Sequence, residues 1–196
     1  VVCTCSPPTI SYRAEGPRYL RDRAVFALYG AAAVRPGAGG DGLLFRYDGK
    51  SWTSFPPSTG APAATVRAFA STRDGALWMG TNGGGLTRYR DGTFTPVTRA
   101  DGLPSDLVRS LYQDADGWLW VGTEGRGLAR LDPRMWGEAK ATTKAAIVRI
   151  GMKDGLFDEV IHQILEDDAG RLWMNTNRGI FWVTRTELNA FAEGKV

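Results

Sequence analysis

From Val108 to Leu131 the chain alternates short apolar runs with compact polar turns, reading VRSLYQDADGWLWVGTEGRGLARL. The run Val108 to Tyr112 meets a turn at Asp114-Ala115-Asp116-Gly117. Trp118 to Thr123 then meets Glu124-Gly125-Arg126-Gly127, and Leu128 to Leu131 follows. Short β-rich segments divided by Asp/Gly turns predict consecutive antiparallel hairpins. The middle segments are apolar at successive residues, as in Leu77-Trp78-Met79, Leu119-Trp120-Val121 and Leu172-Trp173-Met174. Strand neighbours point to opposite faces, so these strands predict a sheet covered on both sides.

The pattern recurs. Val108, Gly117, Trp120, Thr123 and Leu128 find Val66, Gly75, Trp78, Thr81 and Leu86 at 42 residues upstream. Asp114, Gly117, Trp120 and Thr123 find Asp167, Gly170, Trp173 and Thr176 at 53 residues downstream. The longer spacing places an insertion between the third strand of one unit and the loop opening the next, where the chain offers Pro133 to Ala146. Four-stranded units of about 40–50 residues, stacked face to face, describe propeller blades. The expected fold is therefore all-β: a partial β-propeller of three clear four-stranded blades, a degenerate first blade and a short C-terminal helix.

Unit boundaries follow from the turns. Residues 1–41 read as a poorly defined N-terminal segment or degenerate blade, because Gly30 to Gly40 is rich in Ala and Gly with Pro36, a composition that packs poorly in a sheet. Blade units lie near 42–59, 60–101, 102–153 and 154–183. The fourth strand of the third unit is expected at Ile147 to Ile150. In the last unit a helix replaces the fourth strand over 184–196: Thr184-Arg185-Thr186-Glu187 is a capping box, Leu188, Phe191 and Ala192 follow at helical spacing, and Gly194 suits the C-terminal end.

Composition narrows the function classes. A chain of 196 residues, 43% hydrophobic and 23% charged, can bury a core. The net charge of +3 is small and its cations are scattered, so no nucleic-acid footprint is read. No apolar run reaches the ~18 residues of a membrane span, so no membrane contact within the chain is expected. Neither is a signal peptide visible. Cys3 and Cys5 have no partner set for zinc, so no metal and no cofactor are expected. Asp114-Ala115-Asp116-Gly117 resembles the start of a calcium loop, but Gly125 stands where its closing bidentate Glu belongs. Gly83-Gly84-Gly85 opens no helix and reads as a tight turn. His162, the one histidine, reads as a packing or surface residue, and no catalytic grouping is assigned.

With its repeats in view, the chain resembles the two-component regulator propeller family. Val108, Leu111, Asp114, Gly117, Leu119, Trp120, Gly122, Thr123 and Gly127 carry the motif most completely. Trp78, Trp173, Gly80, Thr81 and Thr176 extend it over residues 42 to 196, while Asn175 departs from it where Gly80 and Gly122 stand in other units. The resemblance implies a sensor: a periplasmic propeller ahead of a membrane span and a cytoplasmic histidine kinase or diguanylate cyclase, binding extracellular ligands that are often oligosaccharides. Three blades and a partial fourth fall short of the about seven that would close a ring, so a fragment of a longer protein is expected. Further blades and an output domain would lie on that longer chain, and a homodimer is the other partner considered.

Propeller geometry says where a ligand would sit. Loops joining blades and loops joining second to third strands gather at one end. Their members are Asn82, Glu124, Arg126, Asn177 and Arg178, with Asp106, Asp158 and Glu159 from the inter-blade loops. Arg126 and Arg178, at near-equivalent positions, would suit a sugar acid or other anion. Three functions follow: a ligand-sensing propeller, a protein-interaction or dimerisation scaffold, and a propeller lyase, which would need a His and carboxylate cluster on one rim.

Overall fold

A computed structural model describes residues 25–31, 34–40, 43–47, 50–136 and 147–195. Cys3, Cys5 and most of the 133–146 insertion lie outside the described residues. Four antiparallel sheets follow one another along the chain, each a simple meander. The first holds β1 (Val25–Ala31), β2 (Val34–Gly40), β3 (Leu43–Tyr47) and β4 (Trp52–Phe55). The second holds β5 (Val66–Ser71), β6 (Leu77–Thr81), β7 (Leu86–Arg90) and β8 (Thr93–Val97). In the third are β9 (Val108–Gln113), β10 (Leu119–Thr123), β11 (Leu128–Leu131) and β12 (Ile147–Ile150). The fourth has β13 (Gln163–Glu166), β14 (Arg171–Thr176) and β15 (Gly179–Thr184), and the chain then enters α1 (Arg185–Ala192).

The fold is thus the expected partial propeller with a helix in place of its last strand. In the degenerate first blade the Gly- and Ala-rich stretch supplies β2 and the end of β1, with Leu28 opposite Ala38 and Tyr29 opposite Gly37, so this blade also pairs four strands. A ladder needs only backbone N–H and C=O groups, which Gly and Ala carry like any residue.

First strands of successive sheets touch: β1 meets β5, β5 meets β9 and β9 meets β13. They are the innermost strands, and the sheets fan outward from them. The cores lie in the seams between blades. Leu44, Val66 and Met79 fill the first, with Phe55, Phe69, Tyr89 and Phe94 packed against them. Trp78, Leu119, Val121 and Leu131 share the second, which also takes in Trp136 from the start of the insertion. Trp120, Ile161, Ile164, Leu172 and Met174 share the third, and α1 adds Leu188 to it.

The indoles of the second-strand residues Trp78, Trp120 and Trp173 are anchored from just past the end of the preceding strand. Trp120 Nε1 donates to Asp114 at 2.7 Å and Trp173 Nε1 to Asp167 at 2.8 Å, while Trp78 Nε1 donates to the Thr72 hydroxyl at 3.2 Å. A buried indole N–H needs such a partner. Glycine at the fourth position of the second strand lets the next blade come close. A Cβ on Gly80 would stand 2.5 Å from Val108 Cγ1, and one on Gly122 would stand 2.8 Å from Ile161 Cγ2.

Helix α1 begins at the end of the fourth blade away from the inter-blade loops. Thr184 and Glu187 form the capping box. Arg185 bonds Glu166 of the fourth blade and, at 2.9 Å, Asp116 of the third. Asn189 donates to Asp116 at 3.0 Å and accepts from Arg130 at 2.7 Å.

Candidate functional site

The 42- and 53-residue spacings that align the tryptophans also align Arg67, Arg109 and His162. Arg67 and Arg109 are the second residues of β5 and β9, and His162 immediately precedes β13. Since first strands are innermost, the three positions step around the axis at the end where the inter-blade loops arrive. None of them was among the candidate ligand residues; subtraction along the repeat was the signal that could have found them.

Two predicted residues join them. Glu124 Oε2 accepts from Arg109 Nε at 2.9 Å and lies 2.7 Å from Arg109 Nη2, so one carboxylate oxygen takes both prongs of the guanidinium. The Arg109 hydrogen bond holds the Glu124 carboxyl below its usual range against the opposing effect of burial, and the charges of Arg109, Arg67 and His162 lower it further. Asn177 places its amide oxygen 2.7 Å from His162 Nε2. Arg67, Arg109, Glu124, His162 and Asn177 therefore make one polar cluster of donors and acceptors. Such a set can orient hydroxyls and amides of a ligand.

The remaining predicted residues divide by what they hold. Asp106 and Glu159 staple loops: the Asp106 carbonyl accepts from Gly83 N at 3.0 Å and Gly85 N at 2.9 Å, and the Glu159 carbonyl accepts from Gly127 N at 2.8 Å. The Asp106 carboxylate accepts from Arg99 N at 2.9 Å. Asp158 is buried and its carboxylate accepts from Val160 N at 3.2 Å. Asn82 donates its backbone N–H to Thr65 O at 2.8 Å. The structural Thr residues close the hairpins, with Thr81, Thr123 and Thr176 hydroxyls donating to the carbonyls of Gly85, Gly127 and Gly179 at 2.9, 2.8 and 2.9 Å.

Those last bonds explain the offset between Arg126 and Arg178. The final hairpin is one residue shorter, so each Arg immediately precedes the glycine whose carbonyl the Thr binds. The two do not share a pocket. Arg178 Nη1 donates to Phe157 O at 3.0 Å with its guanidinium 4.9 Å from the Phe157 ring, whereas Arg126 lines a cleft of about 590 Å³ with Glu159. A second, more apolar groove of about 490 Å³ runs beside α1, between Leu156, Trp182 and Phe191. Among the described residues no helix is long and apolar enough to cross a membrane.

Stacked four-stranded sheets with a Trp-Gly-Thr second strand define a repeat propeller whose polar loops collect at one end. Residues 102–125 and 155–178 match the family described as Two component regulator propeller. No curated protein matches it. Among solved structures, an extracellular domain attributed to a one component system of B. thetaiotaomicron superposes with a TM-score of 0.69 at 18% identity over 84% of this chain and 24% of that one. One attributed to a hybrid two component system of the same organism gives 0.64 at 22% identity, over 83% and 21%. Virginiamycin B lyase from Staphylococcus aureus gives 0.59 at 17% identity, over 84% and 54%. The chain thus spans about a quarter of the first of these. At such identities the likeness is one of fold.

Proposed function

We propose that the chain is part of an extracytoplasmic, ligand-sensing propeller of a bacterial signal-transduction protein. Its output would be a histidine kinase or a diguanylate cyclase carried on the same longer chain, and its place the periplasm. The observation that carries this reading is the tandem two component regulator propeller repeat, at 102–125 and 155–178, on a fold shared with extracellular domains of bacterial sensory systems. The polar cluster around Glu124 supports it with a surface suited to a small extracellular ligand such as an oligosaccharide. Reading the coding sequence beyond Val196 tests the reading: a membrane span leading to a kinase or cyclase is the expected result. A stop directly after Val196, or a secreted enzyme domain, would reject it.

Catalysis is a second reading, favoured by one observation: His162 and Glu124 approach the same rim, on a fold that a lyase also uses. The bonds those residues make weigh against it. Glu124 is held as a carboxylate by Arg109, and His162 is occupied by Asn177. On the sensory reading both would contact a ligand rather than act as an acid and a base in proton transfer. A scaffold without a small ligand is the third reading, and the exposed Trp182 face of the last blade is what recommends it.

A further inference from the structure

The cleft beside Arg126 lies outside the axial cluster and is built from three successive stretches of chain. Arg99 comes from the loop after β8, Arg126 from the hairpin between β10 and β11, Arg149 from β12 and Lys153 from the loop that follows it. Four cations thus border one cleft of about 590 Å³, within the size range of small-ligand sites. Two carboxylates border it too, and both are engaged with backbone. Asp154 accepts from Gly151 N at 2.9 Å, and Glu159 accepts from Met152 N at 2.9 Å. Arg149 spends one of its donors on Gly102 O at 2.8 Å. Among the described residues none of the four cations forms a salt bridge, in a chain where Arg88, Arg109, Arg134, Arg171 and Arg185 all do.

Like charges gathered in a concave site repel one another and raise the local concentration of an anion. The planar guanidinium group prefers acceptors that offer two oxygens to its fork, such as carboxylate, sulfate or phosphate. Leu103, Pro104 and Ile150 give the same cleft apolar wall, which suits the face of a ring. We infer that this cleft binds a small organic anion carrying two or more acidic groups on a compact, partly apolar frame. Its contacts would come from loops of successive blades, so binding would tie the second, third and fourth blades together. The inference deepens the sensory reading by naming the class of ligand and rests on it for biological purpose.

Calorimetric titration of the 196-residue chain with citrate, digalacturonate and inorganic phosphate, and with neutral digalactose, tests it. Either carboxylate ligand should bind while digalactose does not, and the affinity should fall as salt is raised. Strongest binding by inorganic phosphate would identify the acid as phosphate and keep the site. The double variant Arg126→Ala, Lys153→Ala should lose affinity about tenfold or more, the scale of losing charge-assisted contacts. Both residues are exposed and, among the described residues, their side chains make no hydrogen bond or ion pair, so the variant should melt like the parent. Arg73→Ala, an exposed cation at the other end of the blades, should bind like the parent. Unchanged affinity in the double variant would overturn the location, and absence of binding by every anion would overturn the site. Binding of digalactose alone would overturn the anionic class and leave the sensory reading standing, since that reading is decided by the sequence beyond Val196.

Discussion

The third blade and the fourth carry the same motif on their second strands and meet different surroundings. Trp120 is fully buried, and Ile161, Ile164 and Met174 of the next blade share its cluster. On the fourth blade no described residue covers the corresponding face. Trp173 stays half-buried, Trp182 is 46% exposed, Leu165 56% and Ile180 70%. The difference reaches the backbone. Gly122 leaves no room for a Cβ, whereas its counterpart Asn175 is exposed and nothing among the described residues presses on it. Glycine at this position is therefore a property of a closed seam rather than of the strand.

Truncation should separate the two faces most. Trp120→Ala is expected to cost about 3–5 kcal/mol by urea unfolding, the scale of deleting a buried Trp. Trp182→Ala should stay below about 1 kcal/mol, and equal losses would show that the fourth blade's face is covered after all. The indole anchor comes next. Asp114→Ala strips acceptors from Asp116 N, Trp118 N and Trp120 Nε1, and should cost about 2–3 kcal/mol by leaving a buried donor unpaired. Asp167→Ala should cost less, because Trp173 can reach water.

Filling the seam is a finer cut. Gly122→Ala should lose about 1–3 kcal/mol through overpacking against Ser110 and Ile161. Asn175→Ala should fall within about 0.5 kcal/mol of the parent, and a loss as large as that of Gly122→Ala would break the contrast. The smallest effect is in acid. The Trp173 hydrogen bond, with help from Arg171, holds the Asp167 carboxyl far below its ordinary value. At Asp74 burial would raise the value, but hydrogen bonds from Thr72, Arg88 and Ala76 outweigh it and the net shift is downward. Depressed carboxyls contribute stability that is complete above the unfolded value of about 4 and is lost as pH falls below it. Melting temperature should accordingly hold between about pH 5 and 7 and drop below about pH 4. Asp167→Asn should make that drop shallower, and an unchanged acid slope would remove Asp167 from the account.

Much of this architecture is legible in the sequence. The Trp repeat, the hairpin turns, the strand at Ile147–Ile150 and the capped helix all stand in local residue chemistry. Positions two apart, or three and four apart, announce strands and helices. The first blade was less readable, because Gly30 to Gly40 lacks the side chains by which a strand is recognised, although β2 pairs with β1, across register shifts, and with β3. The axial cluster was half visible. Glu124 and Asn177 were found from their loops, but Arg67 and Arg109 look like ordinary strand residues until the fan shows which strand is innermost. The cleft was harder still: Arg99, Arg149 and Lys153 stand in unlike local contexts, and only the stacking of blades makes them neighbours.

Helix α1 is stitched to two blades at once, through Arg185 to Glu166 and Asp116 and through Asn189 to Asp116 and Arg130. Its bonds therefore cross the seam, so the helix clasps the third blade to the fourth where no further strand does so.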